Sequence, residues 1–195
     1  MNKKNPQSHK MVDQYSKRLI ETIKQNKYDK INLLYKKLFL SWKNNKRIFI
    51  CGNGGSAGNA NHIANDLIFA AGKNNKKGLN IESLSSNSSI ITCLANDIGY
   101  ENIFSEQLKV KGIKGDLLIV LSGSGNSKNI INVVKMARKL GLFTFAILGF
   151  NGGKCKKIVD SYIHYQVNDM QISEDMQMIV FNMCIQELMK KKIKN

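Results

Sequence analysis

Leu117-Leu-Ile-Val-Leu-Ser122-Gly-Ser-Gly-Asn-Ser127, running on into Lys128 and Asn129, decides how the rest of the chain is read. It opens as an apolar run of strand length and passes through alternating serine and glycine. It then becomes a helical pattern with Ile130, Ile131, Val133, Val134 and Ala137 on one side. Strand, tight loop and helix start follow one another. Ser122, Ser124 and Ser127 bring hydroxyls to a place where helix N–H groups are unpaired, and Gly123 and Gly125 let an anion approach the backbone. A phosphate is the natural guest. Serine and glycine also gather in ordinary turns, and Ser127 alone reads equally well as an N-cap.

A second loop of the same kind lies upstream. Arg47-Ile-Phe-Ile-Cys51 is a short strand that runs into Gly52-Asn-Gly-Gly-Ser-Ala-Gly58 and then a helix from about Ser56 to Ala71. Gly52 to Ala57 formally matches G-x-G-x-x-A, the dinucleotide fingerprint. That motif also wants an acidic residue about 20 positions on. Asp66 comes too early and Glu82 too late, and a dinucleotide site would leave Ser122–Ser127 without a role. Neither loop carries a P-loop lysine, so nucleoside triphosphate hydrolysis has no support. Taken together, one loop seats a phosphate while the other lines the sugar attached to it.

The remaining chain supplies the frame. Two helices are expected between residues 8 and 45, with stripes of Met11, Tyr15, Leu19 and Ile23, then Leu34, Leu38 and Trp42. This pair either covers the sheet or packs against another subunit. Strands are expected at Leu79–Leu84, Ser89–Leu94, Phe143–Leu148 and Tyr162–Val167, besides the two already named. Helices run through Phe104–Val110, from Lys128 to Leu140 with Gly141 as its cap, briefly over Lys154–Val159, and from Ser173 to Lys191. Strands alternating with helices predict an α/β, three-layer αβα sandwich with a mostly parallel sheet, preceded by a two-helix arm. Ligands in such sheets gather beyond the carboxyl ends of the strands, where both loops fall.

Composition narrows the class. The 195 residues read as a flexible stretch 1–9 and a single domain over 10–195, with Pro6 the only proline and no linker. No apolar run approaches the ~20 residues of a membrane span, and the amino terminus lacks a signal-peptide core, which predicts a cytoplasmic protein without a membrane partner. Cys51, Cys93, Cys155 and Cys184 form no C-x-x-C pair and read as buried, reduced thiols. The net charge of +16 comes from lysines spread along the whole chain, in short clusters such as Lys76–Lys77 and Lys190–Lys192. No aromatic-and-basic module accompanies them, so specific nucleic-acid binding is not expected; attraction of anionic substrates is.

Cys51-Gly-Asn-Gly-Gly-Ser-Ala, Leu94-Ala-Asn-Asp97, Ser122-Gly-Ser-Gly-Asn-Ser127 and Gly149-Phe-Asn-Gly-Gly153 together resemble the sugar isomerase (SIS) fold, and within it the phosphoheptose isomerases, over roughly residues 10 to 190. The resemblance implies a flavodoxin-like sandwich, a homotetramer with active sites at subunit interfaces, and interconversion of sedoheptulose 7-phosphate with the aldose heptose 7-phosphate for surface polysaccharide. Ser122, Gly123, Ser124 and Ser127 would hold the phosphate, Asn53, Gly54 and Ser56 would contact the sugar chain, and Asp97 would lie near its hydroxyls.

The resemblance also implies a divalent metal, zinc. His62 and Asp66 stand i and i+4 on one helix, where the family has His and Glu. On the last helix the family's Gln and, eight positions later, His align with Glu174 and Asn182, giving the metal set His62, Asp66, Glu174 and Asn182. A register one residue earlier would place Ser173 and Phe181 there. Asn182 is a weak ligand and cannot shuttle a proton, so the base is Asp66 or Glu174. Gln177 and Asp175 belong either to the rim of the site or to the exposed side of the helix. The alternative reading is a non-catalytic SIS regulator that binds a sugar phosphate, resembling the DnaA-associating proteins.

Overall fold

The computed structural model describes residues 6–193 apart from 26, 74 and 76. Lys76 and residues 1–5 and 194–195 of the expected segments therefore lie outside the described residues, and the first helix begins at Pro6. In chain order the elements are α1 (Pro6–Ile23), α2 (Tyr28–Lys43), β1 (Ile48–Cys51), α3 (Gly55–Ile68), β2 (Ile81–Ser83) and α4 (Ser88–Ile98). Then come α5 (Ser105–Lys111), β3 (Leu117–Ser122), α6 (Lys128–Leu140), β4 (Phe143–Leu148), β5 (Ser161–His164) and α7 (Met170–Met189). Short 3₁₀ turns occupy Tyr100–Asn102 and Cys155–Lys157.

The strands form one sheet in the order β2-β1-β3-β4-β5, with every pairing parallel. The central strands β1, β3 and β4 are largely apolar on both faces because helices cover both. Ile48, Ile50, Ile119, Leu121 and Ile147 point to one side, against Leu34 and Leu38 of α2, Ile63 and Leu67 of α3, and Val180 and Phe181 of α7. Phe49, Leu118, Val120 and Ala146 alternate to the other side, against Leu108 of α5 and Ile130, Val133 and Val134 of α6. This is the three-layer αβα sandwich the alternation predicts. Between β1 and β3 the direction of winding reverses, which opens a crevice at their carboxyl ends. Both glycine-serine loops lie on that crevice.

One expected strand is a helix. Ser89–Leu94 falls within α4, not in the sheet. Its β-rich run Ile90-Ile91-Thr92-Cys93 is overruled by Asn87, whose side chain accepts the Ile90 N–H at 3.1 Å and starts a helix. The apolar residues also fit a helix, since Ile91, Leu94 and Ala95 meet the core from one side. Cys93 lies on the outer side and is exposed, so only Cys51, Cys155 and Cys184 are buried thiols. The Gly141 cap is present in the left-handed conformation expected of it, with φ 78°.

Both arm helices lie on the face carrying α7. Tyr15 donates to the Asp175 carboxylate at 2.5 Å, and Arg18 pairs with Asp169 at 2.9 Å. The hydrogen bond to Asp175 pushes the Tyr15 phenol up to about 12. Of the expected α1 stripe, Tyr15 and Leu19 reach the core, while Met11 and Ile23 remain exposed together with Val12 and Ile20.

Candidate functional site

The loop from Ser122 to Ser127 is shaped by its own hydroxyls. Ser122, the last residue of β3, accepts the Gly125 N–H at 3.0 Å, and Ser124 accepts the Asn126 N–H at 3.2 Å. Gly125 has φ 65°, and a β-carbon there would run into the carbonyl of Gly152 on the loop after β4. Gly123 is covered by the Met170 thioether and the Phe150 ring, and a β-carbon there would push the methionine aside. Ser127 precedes α6 but makes no capping hydrogen bond, so its hydroxyl is available to a ligand along with N–H groups of the first helical turn. The first turn of α6 contains no acid, and the helix dipole there favours an anion.

On the other side of the crevice, α3 begins at Gly55 after Gly54, which has φ 55°. The Glu174 carboxylate, carried by the first turns of α7, sits where a Gly55 side chain would project. Its backbone is pinned there: Asn59 on α3 donates to the Glu174 carbonyl at 3.0 Å and to the Gln177 amide oxygen at 2.9 Å. Gln177 in turn donates to Ser56 at 3.0 Å. Gln177 is thus fully buried between α3 and α7, and Asp175 is engaged with Tyr15; neither is a solvated helix side chain. Ser56 is buried as well; its hydroxyl accepts from Gln177, and the residue lines the cavity.

Asn53, just after β1, forms a reciprocal amide pair with Asn129 of α6. Asn53 Nδ2 donates to Asn129 Oδ1 at 2.9 Å, and Asn129 Nδ2 donates to Asn53 Oδ1 at 2.8 Å. Tyr100 adds a third bond, its hydroxyl donating to Asn53 Oδ1 at 3.0 Å.

These elements enclose a cavity of about 280 Å³. Asn53, Gly54 and Ser56 line it from the first loop, Ser122, Gly123, Ser124 and Ser127 from the second, and Glu174 from α7. All eight were named from the sequence, and Gly55, Leu121 and Met170 complete the wall. Cys51 adjoins the first loop at the end of β1, but burial pushes its thiol far up, so it stays protonated and is no nucleophile.

The other expected residues stand apart. His62 and Asp66 pair with each other at 3.2 Å on α3, with side chains 59% and 27% exposed. Asp97 is exposed at the end of α4 and accepts from Asn96 at 2.8 Å. Asn182 is exposed, eight residues and roughly 12 Å along α7 from Glu174. The earlier register offers no ligands either: Ser173 donates to the Asp169 carbonyl at 2.8 Å and Phe181 is fully buried. Among the described residues no three His, Cys, Asp or Glu side chains come together as a metal site. The donors of one chain therefore do not fit a zinc ion.

Asn129, Tyr100 and Met170 were not legible as site residues. Asn129 sits inside an apolar helical pattern, Tyr100 follows what reads as a strand and turn, and Met170 lies before the expected start of its helix. The only signal was indirect: Asn129 is a polar residue at a position whose neighbours Ile130, Val133 and Val134 are all core.

The SIS domain model matches residues 13–149, more than half of the chain. The phosphoheptose isomerase of Helicobacter pylori (strain Shi470) is 36% identical over 163 residues, which are 84% of this chain and 82% of that protein. That of Aliarcobacter butzleri is 39% identical over 137 residues, 70% of this chain and 72% of its own. Among solved structures, a phosphoheptose isomerase from Francisella tularensis superposes with a TM-score of 0.86 at 22% identity, covering 94% of this chain and 99% of that one. The phosphoheptose isomerase of Neisseria gonorrhoeae gives 0.84 at 24% identity, over 92% and 97% of the two chains. The structural likenesses carry the fold; the sequence likenesses carry the relationship. With its parallel sheet and its two loops on one crevice, the chain belongs to the SIS domain family and, within it, to the phosphoheptose isomerases.

Proposed function

We propose that the protein is an aldose–ketose isomerase that interconverts sedoheptulose 7-phosphate and D-glycero-D-manno-heptose 7-phosphate, and that it supplies heptose for surface polysaccharide. The observation that carries this reading is the placement of one carboxylate, Glu174, across a single cavity from a phosphate loop. The 7-phosphate lies at the α6 N-terminus among Ser122, Ser124 and Ser127, where no lysine is needed because N–H groups and the dipole supply the positive end. The carbon chain then runs toward Asn53, Gly54 and Ser56, and its far end meets Glu174.

Chemistry follows from that orientation. The Glu174 carboxylate takes a proton from C1 of the ketose, and the electron pair of that C–H bond moves into a C1–C2 double bond, giving an enediolate. Its developing negative charge lies on O2 and is met by the Asn53 N–H and the N–H groups that open α3. The protonated Glu174 returns the proton to C2, the O1 hydroxyl proton passes to O2, and C1 is left as the aldehyde. No step is routed through a metal.

The setting is a proposal of the same standing. Exposed Met11, Val12 and Ile20 on α1, Phe69 after α3 and Val110 on α5, together with an α4 that has no buried residue, support assembly into a homotetramer. No helix among the described residues is long and apolar enough to cross a membrane, which is consistent with a cytoplasmic role.

The test is conversion of sedoheptulose 7-phosphate by the purified protein, followed by NMR of the sugar. Formation of the aldose supports the reading. Binding of sedoheptulose 7-phosphate with no turnover would instead support the non-catalytic regulator.

A further inference from the structure

We infer that Asn129 is a positioning residue: it transmits the orientation of the α6 backbone to Asn53 and so fixes which atom Asn53 offers to the sugar. This rests on the phosphosugar reading of the cavity and adds a residue that does not itself line it.

The relay starts at a backbone group that cannot turn round. The Ile130 N–H, in the first turn of α6, donates to Asn129 Oδ1 at 2.9 Å. A carboxamide has one acceptor end and one donor end, so this bond decides which way the Asn129 amide faces. Asn129 is 2% exposed, and no water competes for the choice. With its oxygen committed, Asn129 presents Oδ1 and Nδ2 to Asn53 in a set order, and the reciprocal bonds at 2.9 and 2.8 Å force the matching order on Asn53.

Asn53 Oδ1 is then saturated by Asn129 Nδ2 and the Tyr100 hydroxyl. Asn53 Nδ2 spends one hydrogen on Asn129 and keeps the other for the cavity. Asn53 therefore faces the ligand as a donor only, suited to a carbonyl or enediolate oxygen and unsuited to a hydroxyl that must donate. Because Asn129 stands two residues beyond Ser127, the same helical turn that seats the phosphate sets the group at the sugar end.

The decisive experiment is a double-mutant cycle on Asn53→Ala, Asn129→Ala and the pair, read as kcat/KM for sedoheptulose 7-phosphate and as calorimetric affinity for sedoheptulose 7-phosphate and for inorganic phosphate. If Asn129 acts through Asn53, each single variant loses about 30-fold in kcat/KM, a misplacement-sized effect, and the double variant loses no more than Asn53→Ala alone. Inorganic phosphate affinity stays within about twofold throughout, which a collapse of the loop would not allow. Tyr100→Phe, at an exposed position where folding is not at risk, shows a smaller loss in the same direction and again none on an Asn53→Ala background. Multiplicative losses in the double variants, or an equal loss of inorganic phosphate affinity, would overturn the relay. The affinity cycle decides it even where turnover is absent, and a folded protein that binds inorganic phosphate but not sedoheptulose 7-phosphate would overturn the phosphosugar reading and the relay with it.

Discussion

Glu174 occupies the space in front of Gly55 that any side chain at position 55 would need. The carboxylate of α7 thereby reaches the opening turn of α3, whose first N–H groups have no partner within the helix. Two substitutions separate position from chemistry. Glu174→Gln keeps the shape and removes the base, and kcat should fall about 10²–10⁴-fold with little change in KM. Gly55→Ala keeps the base and displaces it; kcat should fall about 10²-fold, as for a misplacement of about 1 Å. Steady-state kinetics with sedoheptulose 7-phosphate check both, and a Glu174→Gln variant with unchanged kcat would remove Glu174 from the mechanism.

The free hydroxyl of Ser127 predicts a loss of binding without a loss of chemistry. Ser127→Ala removes one hydrogen bond to a charged group, so competitive inhibition by inorganic phosphate should weaken about tenfold. KM for the sugar phosphate should rise in parallel while kcat stays near its original value. A fall in kcat alone would show that the phosphate is seated elsewhere.

His164 makes stability depend on pH. Its Nε2 lies 3.0 Å from the Phe150 carbonyl and its Nδ1 lies 3.2 Å from the Lys156 ammonium. Only the neutral ring with its proton on Nε2 satisfies both, and burial lowers the ring's pKa. A pKa lowered in the fold means that the unfolded chain binds the proton more readily. The stabilisation is therefore complete above the ordinary histidine value, about 6.5, and is lost as the pH falls below it. Thermal melts should show Tm declining from pH 7 to pH 5, and His164→Gln should flatten that decline. A Tm profile identical in the two proteins would refute the assignment.

The paired, surface-facing His62 and Asp66 predict weak metal binding. The purified protein should carry well under one zinc per chain by elemental analysis, and a chelator should leave turnover unchanged. Zinc bound one per chain and lost in His62→Ala would contradict this and mean that donors from a second chain join His62.

Much of this architecture is legible in the chain because it is local. Apolar runs of strand length ending in Gly and Ser declare both loops, and the alternation with helices declares a parallel sheet, so seven of the eight cavity residues fall in stretches the pattern marks; Glu174, on α7, was named only through the family resemblance. What failed was decided by neighbours. Ile90-Ile91-Thr92 has the composition of a strand, and only the Asn87 cap and one-sided contact with the core make it a helix. Asn129 and Asn53 are 76 residues apart, and no spacing rule joins them. Metal ligation was harder still, since residue types on α3 and α7 name donors but only packing shows that Phe181 is core and that Asn182 faces outward.

Proton exchange on the substrate tests the central claim most directly. With sedoheptulose 7-phosphate in D₂O, the protein should exchange a C1 hydrogen for deuterium in recovered ketose and place deuterium at C2 of the aldose, both read by NMR. Glu174→Gln should abolish the exchange while still binding inorganic phosphate. Isomerisation that proceeds undiminished in Glu174→Gln, or a folded wild-type protein that leaves the ketose unlabelled and unconverted, would contradict it.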